Sequence, residues 1–214
     1  SFDTFKCIIQ PDEYISFDIV FCISAFIKCI GYIRGEKTLP LNPTLNDAIN
    51  NGMQIRYISR KEYKRINNED YLNCLKQKHK NSYIIPEGGT NKLAVKGAEL
   101  IINSDDNFQF ICCPIGTGGT ISGIINSSSE EQQIIGFSSI KGVKKILDDI
   151  HSFTNKNNWK INEDYCLGGY AKVSPKLINF IYDFYENKNI ALDAVYTAKM
   201  MMGIIDLILK NNFP

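Results

Sequence analysis

The stretch Phe110-Ile111-Cys112-Cys113-Pro114-Ile115-Gly116-Thr117-Gly118-Gly119-Thr120-Ile121-Ser122-Gly123 constrains the fold more than any other in this sequence. Residues 108–114 read as a continuous apolar strand, the kind buried on both faces of a parallel sheet. Three glycines and two threonines follow, and a short helix is expected over residues 121–125. At the carboxyl end of a parallel strand, a tight glycine turn aims successive backbone N–H groups at one spot. The helix N-terminus adds its partial positive charge, and together they form an anion site. Glycine is needed where a Cβ would block the turn or the approach of a phosphate. A plain strand-to-helix turn is the alternative, since such turns use glycine often. The loop is not a Walker loop, because no Gly-Lys-Ser/Thr follows. Its third glycine is misplaced for a dinucleotide fingerprint.

Around this loop the chain alternates strand and helix. Residues 30–33 fit a strand end. Leu41-Asn42-Pro43-Thr44-Leu45 starts a helix with Leu45, Ala48 and Ile49 on one face, and Asn51-Gly52 ends it. Residues 53–59 form a strand. Residues 61–80 form a charged helix with Tyr63, Tyr71, Leu72 and Leu75 inward. Residues 82–85 form a strand closed by Pro86. Residues 93–103 form a helix burying Leu93, Val95, Ala98 and Ile101 or Ile102. After the glycine loop come a strand at 133–138, a helix at 143–152, and closing helices at 175–186 and 195–209. This order predicts an α/β fold with a mostly parallel sheet.

Composition sets limits on partners. The net charge of +1 over 214 residues gives no basic patch for nucleic acid or an anionic membrane. Lys61, Lys64 and Arg65 alternate with acids and read as a solvated face. The seven cysteines form no CxxC pair, and the two histidines, His79 and His151, stand at no metal-ligand spacing. Buried free thiols in a reducing cytoplasm follow. The apolar segment 15–33 is broken by Asp18 and Lys28 and is too short between them to span a bilayer. No secretory signal is expected at Ser1-Phe2-Asp3-Thr4.

Four ordered motifs resemble one family. They are Arg34-Gly35-Glu36 with Leu41-Asn42-Pro43-Thr44-Leu45; Ile85-Pro86-Glu87-Gly88-Gly89-Thr90-Asn91; the loop from Gly116 to Thr120; and Gly168-Gly169-Tyr170 with Leu192-Asp193-Ala194-Val195-Tyr196-Thr197-Ala198-Lys199. From about residue 30 onward the chain resembles 1-aminocyclopropane-1-carboxylate deaminase and D-cysteine desulfhydrase. The resemblance implies pyridoxal-phosphate fold type II, like tryptophan synthase β: two domains with parallel sheets in three layers, here shortened at the N-terminus. Residues 1–85 would be a remnant of the small domain and residues 86–214 the larger, cofactor-binding domain. Gly116, Thr117, Gly118, Gly119 and Thr120 match the loop that holds the phosphate of pyridoxal 5′-phosphate. Tyr170 and Tyr196 match tyrosines that face the substrate, although core or rim packing would also account for them. Thr197 matches the residue beside the pyridine nitrogen, where a hydroxyl leaves that nitrogen largely unprotonated. Family members resembling the true cyclopropane deaminases carry Glu there, so Thr197 leans toward D-cysteine desulfhydrase or another, uncharacterised relative. Ala194 and Ala198 depart from the family's Pro and Gly, and a methyl at 198 is expected to crowd the ring pocket. A small amino-acid substrate, a cytoplasmic location and a homodimer are further implications of the family.

The family also uses a lysine that joins covalently to the cofactor, in an Asn-Lys-Xaa-Arg-Lys segment. No such segment occurs in these residues, and Lys92 belongs to a different motif. A Gly-Gly-Xaa-Xaa-Ser-Asn-His segment is expected within about the first 20 residues, where the chain reads Phe5-Lys6-Cys7-Ile8-Ile9-Gln10-Pro11-Asp12-Glu13-Tyr14. A compensated frameshift and true divergence both fit this replacement. The chain as written is therefore expected to be inactive, or to bind a phosphate ligand without catalysis. Loss of early strands would leave an exposed sheet edge.

Overall fold

The structure, a computed structural model, describes residues 6–9, 27–37, 39–103 and 105–213. These residues form two compact units, one reaching to Gly89 and the other starting at Thr90.

In the first unit, four strands pair in parallel: β1 (Lys6–Ile9), β2 (Lys28–Arg34), β3 (Gln54–Ile58) and β4 (Ser82–Ile85), in the order β3-β2-β1-β4. The residues expected to carry the Ser-Asn-His segment thus include a central strand, and β3 and β4 form the edges among the described residues. The rest of that expected segment lies outside the described residues. Alternation along β2 sends its side chains to opposite faces. Ile30 and Tyr32 join a cluster with Ile58, Tyr63, Ile66 and Leu75. Cys29 joins Ala48 and Met53. Both faces of the strand are therefore buried, as a central parallel strand requires.

Helix α1 (Pro43–Asn50) begins as its sequence demands. The Asn42 side chain accepts from the Leu45 N–H at 2.8 Å, and Pro43 occupies the first turn. Ala48 is buried, but Ile49 turns to solvent. The helix expected over 61–80 is two helices, α2 (Arg60–Tyr63) and α3 (Glu69–Lys78). The break lets Ile66 enter the core at 1% exposure, and Asn68 takes the extended conformation that starts α3. Core packing and the Asn67-Asn68 pair outweigh the helical pattern there. Tyr32 and His79, both buried, meet at 2.8 Å between Oη and Nε2.

The second unit holds a parallel sheet of β5 (Phe110–Ile115), β6 (Gln133–Ser138) and β7 (Trp159–Asn162), in the order β5-β6-β7. Its helices are α4 (Lys92–Ala98), α5 (Gly119–Ser127), α6 (Lys144–Phe153), α7 (Pro175–Lys188) and α8 (Thr197–Leu209). Strand β7 has no counterpart in the sequence reading, because Trp159-Lys160-Ile161-Asn162 is too short for alternation to register. Strand β5 is buried fully only at Cys113 and Ile115, since it is an edge of the described sheet. Phe108, expected within it, is exposed and lies before its start. In α4, Val95 is buried while Leu93 is exposed, and Ile101 is exposed in the 3-10 turn that follows.

Neighbouring residues of β6 show the layering. A Cβ at Gly136 would lie 2.7 Å from Ile121 of α5, whereas Phe137 lies 2.8 Å from the Cβ position of Gly203 in α8. Successive strand residues face opposite ways, so α5 and α8 cover opposite faces of the sheet. The result is three layers. Ile115, Ile121, Ile125, Ile134, Ile146 and Ile150 pack within one core cluster under α5.

Candidate active site

The glycine loop leaves the carboxyl end of β5 and enters α5, which begins at Gly119, two residues before the expected start. Gly118 has φ 88°, a left-handed conformation that suits glycine, and it caps the helix. The loop is tightly enclosed. A Cβ at Gly118 would lie 3.1 Å from Ile150, and one at Gly119 would lie 2.7 Å from Thr90 Oγ1. The first N–H groups of α5 have no acceptor within the helix and point out of its N-terminus. Thr117 and Thr120 are exposed, so their hydroxyls are accessible to a ligand. Thr117 and Thr90 share a hydroxyl-to-hydroxyl hydrogen bond of 2.5 Å. The cradle and its donors fit a phosphate group.

Thr90 was not singled out by sequence reasoning as a site residue. It stands in the Pro86-Glu87-Gly88-Gly89-Thr90-Asn91 motif, and its neighbour Asn91 caps α4 by accepting from Leu93 N at 2.9 Å and Ala94 N at 3.0 Å. That cap fixes the residue beside it against the loop.

Tyr196 lies over Gly116. The phenolic oxygen would stand 3.0 Å from a Cβ built there. Tyr170 meets the Tyr196 ring edge-on with centroids 6.1 Å apart. The two tyrosines and the loop therefore form one continuous surface, although they come from distant parts of the second unit.

Asp193 organises the start of α8. Its Oδ1 accepts from Val195 N at 2.9 Å and Tyr196 N at 2.6 Å, and its Oδ2 accepts from Thr197 N at 2.9 Å and Thr197 Oγ1 at 2.5 Å. Burial alone would raise the Asp193 carboxyl, but the Thr197 hydroxyl and these three N–H groups hold it below its ordinary value. Thr197 Oγ1 in turn accepts from Asp193 N at 2.9 Å. The Thr197 hydroxyl thus donates its hydrogen bond to the Asp193 carboxylate. Ala198 is fully buried in a cluster with Leu177 and Met202. Its methyl packs inside the helix layer, against Leu177 of α7.

Lys199 is the other residue missed. It is 1% exposed, and its Nζ donates to Cys166 O at 3.0 Å and Gly169 O at 2.6 Å. Burial pushes the ammonium below the usual lysine range, against the fields of Cys166 and Asp193. A single lysine among the apolar residues of Ala198-Lys199-Met200-Met201-Met202 was the signal available. The expectation that the thiols are buried holds only in part: Cys29 and Cys113 are buried, Cys74 is exposed, and Cys112 and Cys166 are partly covered.

No protein-family model matches the chain. Solved structures show its fold. A homologue of 1-aminocyclopropane-1-carboxylate deaminase superposes with a TM-score of 0.78 at 19% identity, over 99% of this chain and 71% of that one. An O-acetylserine dependent cystathionine beta-synthase from Helicobacter pylori gives 0.64 at 10% identity, over 98% and 71%. The fold is that of pyridoxal-phosphate fold type II. Curated relatives narrow this. A Thermotoga maritima protein provisionally named a 1-aminocyclopropane-1-carboxylate deaminase is 28% identical over 204 residues, 85% of this chain and 65% of the relative. The Arabidopsis thaliana bifunctional D-cysteine desulfhydrase/1-aminocyclopropane-1-carboxylate deaminase, mitochondrial, is 30% identical over 185 residues, 75% and 46%. The chain thus spans less than two thirds of the length of these relatives. It is homologous to the 1-aminocyclopropane-1-carboxylate deaminase and D-cysteine desulfhydrase family, as its four motifs indicated. Among the described residues no helix is long and apolar enough to cross a membrane.

Proposed function

We propose that the second unit holds pyridoxal 5′-phosphate by its phosphate and presents a small amino acid to Tyr170 and Tyr196. The observation that carries this reading is the loop itself. Gly116, Thr117, Gly118, Gly119 and Thr120 form a cradle too close-fitting for side chains at its glycines, with Tyr196 over one end. Residues 86–214 would then be the cofactor-binding domain and residues 1–85 part of the small one.

The protein's own groups have separate tasks. The α5 N-terminus and the hydroxyls of Thr117 and Thr120 would bind and orient the phosphate. Thr197 would stand at the pyridine nitrogen, its hydroxyl held by Asp193. Tyr170 and Tyr196 would bound the substrate side and exclude water from it. The cofactor, when bound, supplies an electron sink for bond cleavage at the substrate's α-carbon. The products would be a 2-oxo acid and ammonia, with sulfide when cysteine is the substrate.

A second reading is a binding protein without catalysis. It rests on the loop alone, whose close-fitting glycines and helix N-terminus suffice to hold a phosphate without any covalent bond to the cofactor. On this reading the loop binds the cofactor reversibly and no turnover follows. Treating the purified chain with pyridoxal phosphate and borohydride separates the two. A cofactor bound reversibly, with no reduced lysine adduct and no ammonia from D-cysteine, supports binding alone. An adduct together with steady ammonia release would overturn that second reading.

A further inference from the structure

Between Cys166 and Lys172 the backbone makes a run of left-handed turns. Leu167 has φ 49°, Gly168 96°, Gly169 113° and Ala171 52°. The glycines adopt these angles freely, while Leu167 and Ala171 do so under strain. A strained segment persists only where its surroundings hold it. Tyr170 sits within this run.

Lys199 supplies a hold from outside the segment. It lies one helical turn beyond Tyr196, and its ammonium reaches the carbonyls of Cys166 and Gly169. Each carbonyl already accepts a bond within the turn, from Gly169 N at 3.0 Å and from Lys172 N at 3.2 Å. The lysine bonds are therefore additional and connect a local turn to a helix thirty residues away in sequence. A buried lysine is rare and costly, which argues for a specific purpose. One of its two acceptors belongs to the residue next to Tyr170.

We propose that Lys199 is a positioning residue, clamping the turn at 166–171 to the start of α8 and so setting Tyr170 edge-on against Tyr196. The meaning of the clamp for substrate binding rests on the functional reading above. The clamp itself is a property of the protein without ligand, and that allows the two to be tested apart.

The test uses the whole chain labelled with 3-fluorotyrosine and observed by fluorine NMR. Tyr170→Phe and Tyr196→Phe assign the two resonances, and those of Tyr32 and Tyr63 in the first unit serve as controls. In Lys199→Met the resonances of Tyr170 and Tyr196 should both move while the controls stay. Lys199→Arg, which keeps charge and donors, should bring them back toward the original positions. A folded Lys199→Met protein with Tyr170 and Tyr196 unmoved overturns the proposal. If Lys199→Met does not fold, Lys199→Gln is read the same way. Failure of both to fold makes the residue purely structural and overturns it too.

Ligand binding then separates the clamp from the reading of the site. The probes are inorganic phosphate and N-(5′-phosphopyridoxyl)-D-alanine, a stable compound that joins the cofactor to a small amino acid. Lys199→Met should leave phosphate affinity unchanged and weaken the conjugate about tenfold, a loss equivalent to one good contact. If the tyrosines move but conjugate affinity holds, the clamp stands and the assignment of the tyrosines to the substrate side fails.

Discussion

Tyr196 covers Gly116 so closely that a Cβ on the glycine would lie 3.0 Å from the phenolic oxygen and 3.1 Å from Cε1. The contact ties the first residue of the glycine loop to the start of α8. Gly116→Ala should displace the ring, lower pyridoxal phosphate affinity and cost about 1 kcal/mol of stability, the low end for overpacking. Equilibrium dialysis and urea unfolding would check both parts.

Two glycines in adjacent helices should respond with opposite signs. A Cβ at Gly123 would lie 2.5 Å from the Ala98 Cβ and 2.6 Å from the Val95 carbonyl, so Gly123→Ala should destabilise by roughly 1–3 kcal/mol. Gly97 in α4 has nothing within 4 Å of the same position. Gly97→Ala should therefore stabilise by roughly 0.5–1 kcal/mol, because alanine loses less backbone freedom on folding. Thermal unfolding of the pair measures the contrast.

Asp193 makes an acid limb in the stability profile. Its native carboxyl lies below the ordinary 3.8, so the folded protein holds that proton less tightly than the unfolded chain. Its contribution is fully present above about the unfolded value and is lost as pH falls through the lower native one. Asp193→Ala should remove about 1–2 kcal/mol at neutral pH, the range for a lost helix cap, and less in acid. Urea titrations at several pH values between neutrality and acid would show the narrowing gap.

The cysteines should label in order of access. Cys74 is exposed, whereas Cys113 is 3% exposed and burial pushes its thiol up to about 12. Iodoacetamide at neutral pH should modify Cys74 in the native protein and reach Cys113 only on unfolding. Peptide mapping by mass spectrometry reads the order.

The parts legible in the sequence are those with local causes. The strand-loop-helix at 110–123 was readable because apolar run, glycines and helix follow without a gap. The α1 start was readable from Asn42 and Pro43. What escaped depends on distant partners. The break at 64–68 follows from where Ile66 must go in the core. The exposure of Leu93 follows from which face of α4 meets α5, and no periodicity within seven residues decides that. Thr90 and Lys199 gain their roles only when residues 117 and 166–169 come beside them. Tyr170 and Tyr196 could be named from the family resemblance, but their edge-on meeting is a product of the fold.

The claim that residues 116–120 hold the phosphate of pyridoxal 5′-phosphate is tested most directly by titrating the purified chain with that compound, following its absorbance, beside the Gly119→Ala variant. The added methyl would meet Thr90 Oγ1 at 2.7 Å and disrupt its bond to Thr117 inside the cradle. Saturable binding that inorganic phosphate displaces, weakened about tenfold or more in Gly119→Ala, is the predicted result. Binding that is absent, or equal in both proteins, would contradict the account.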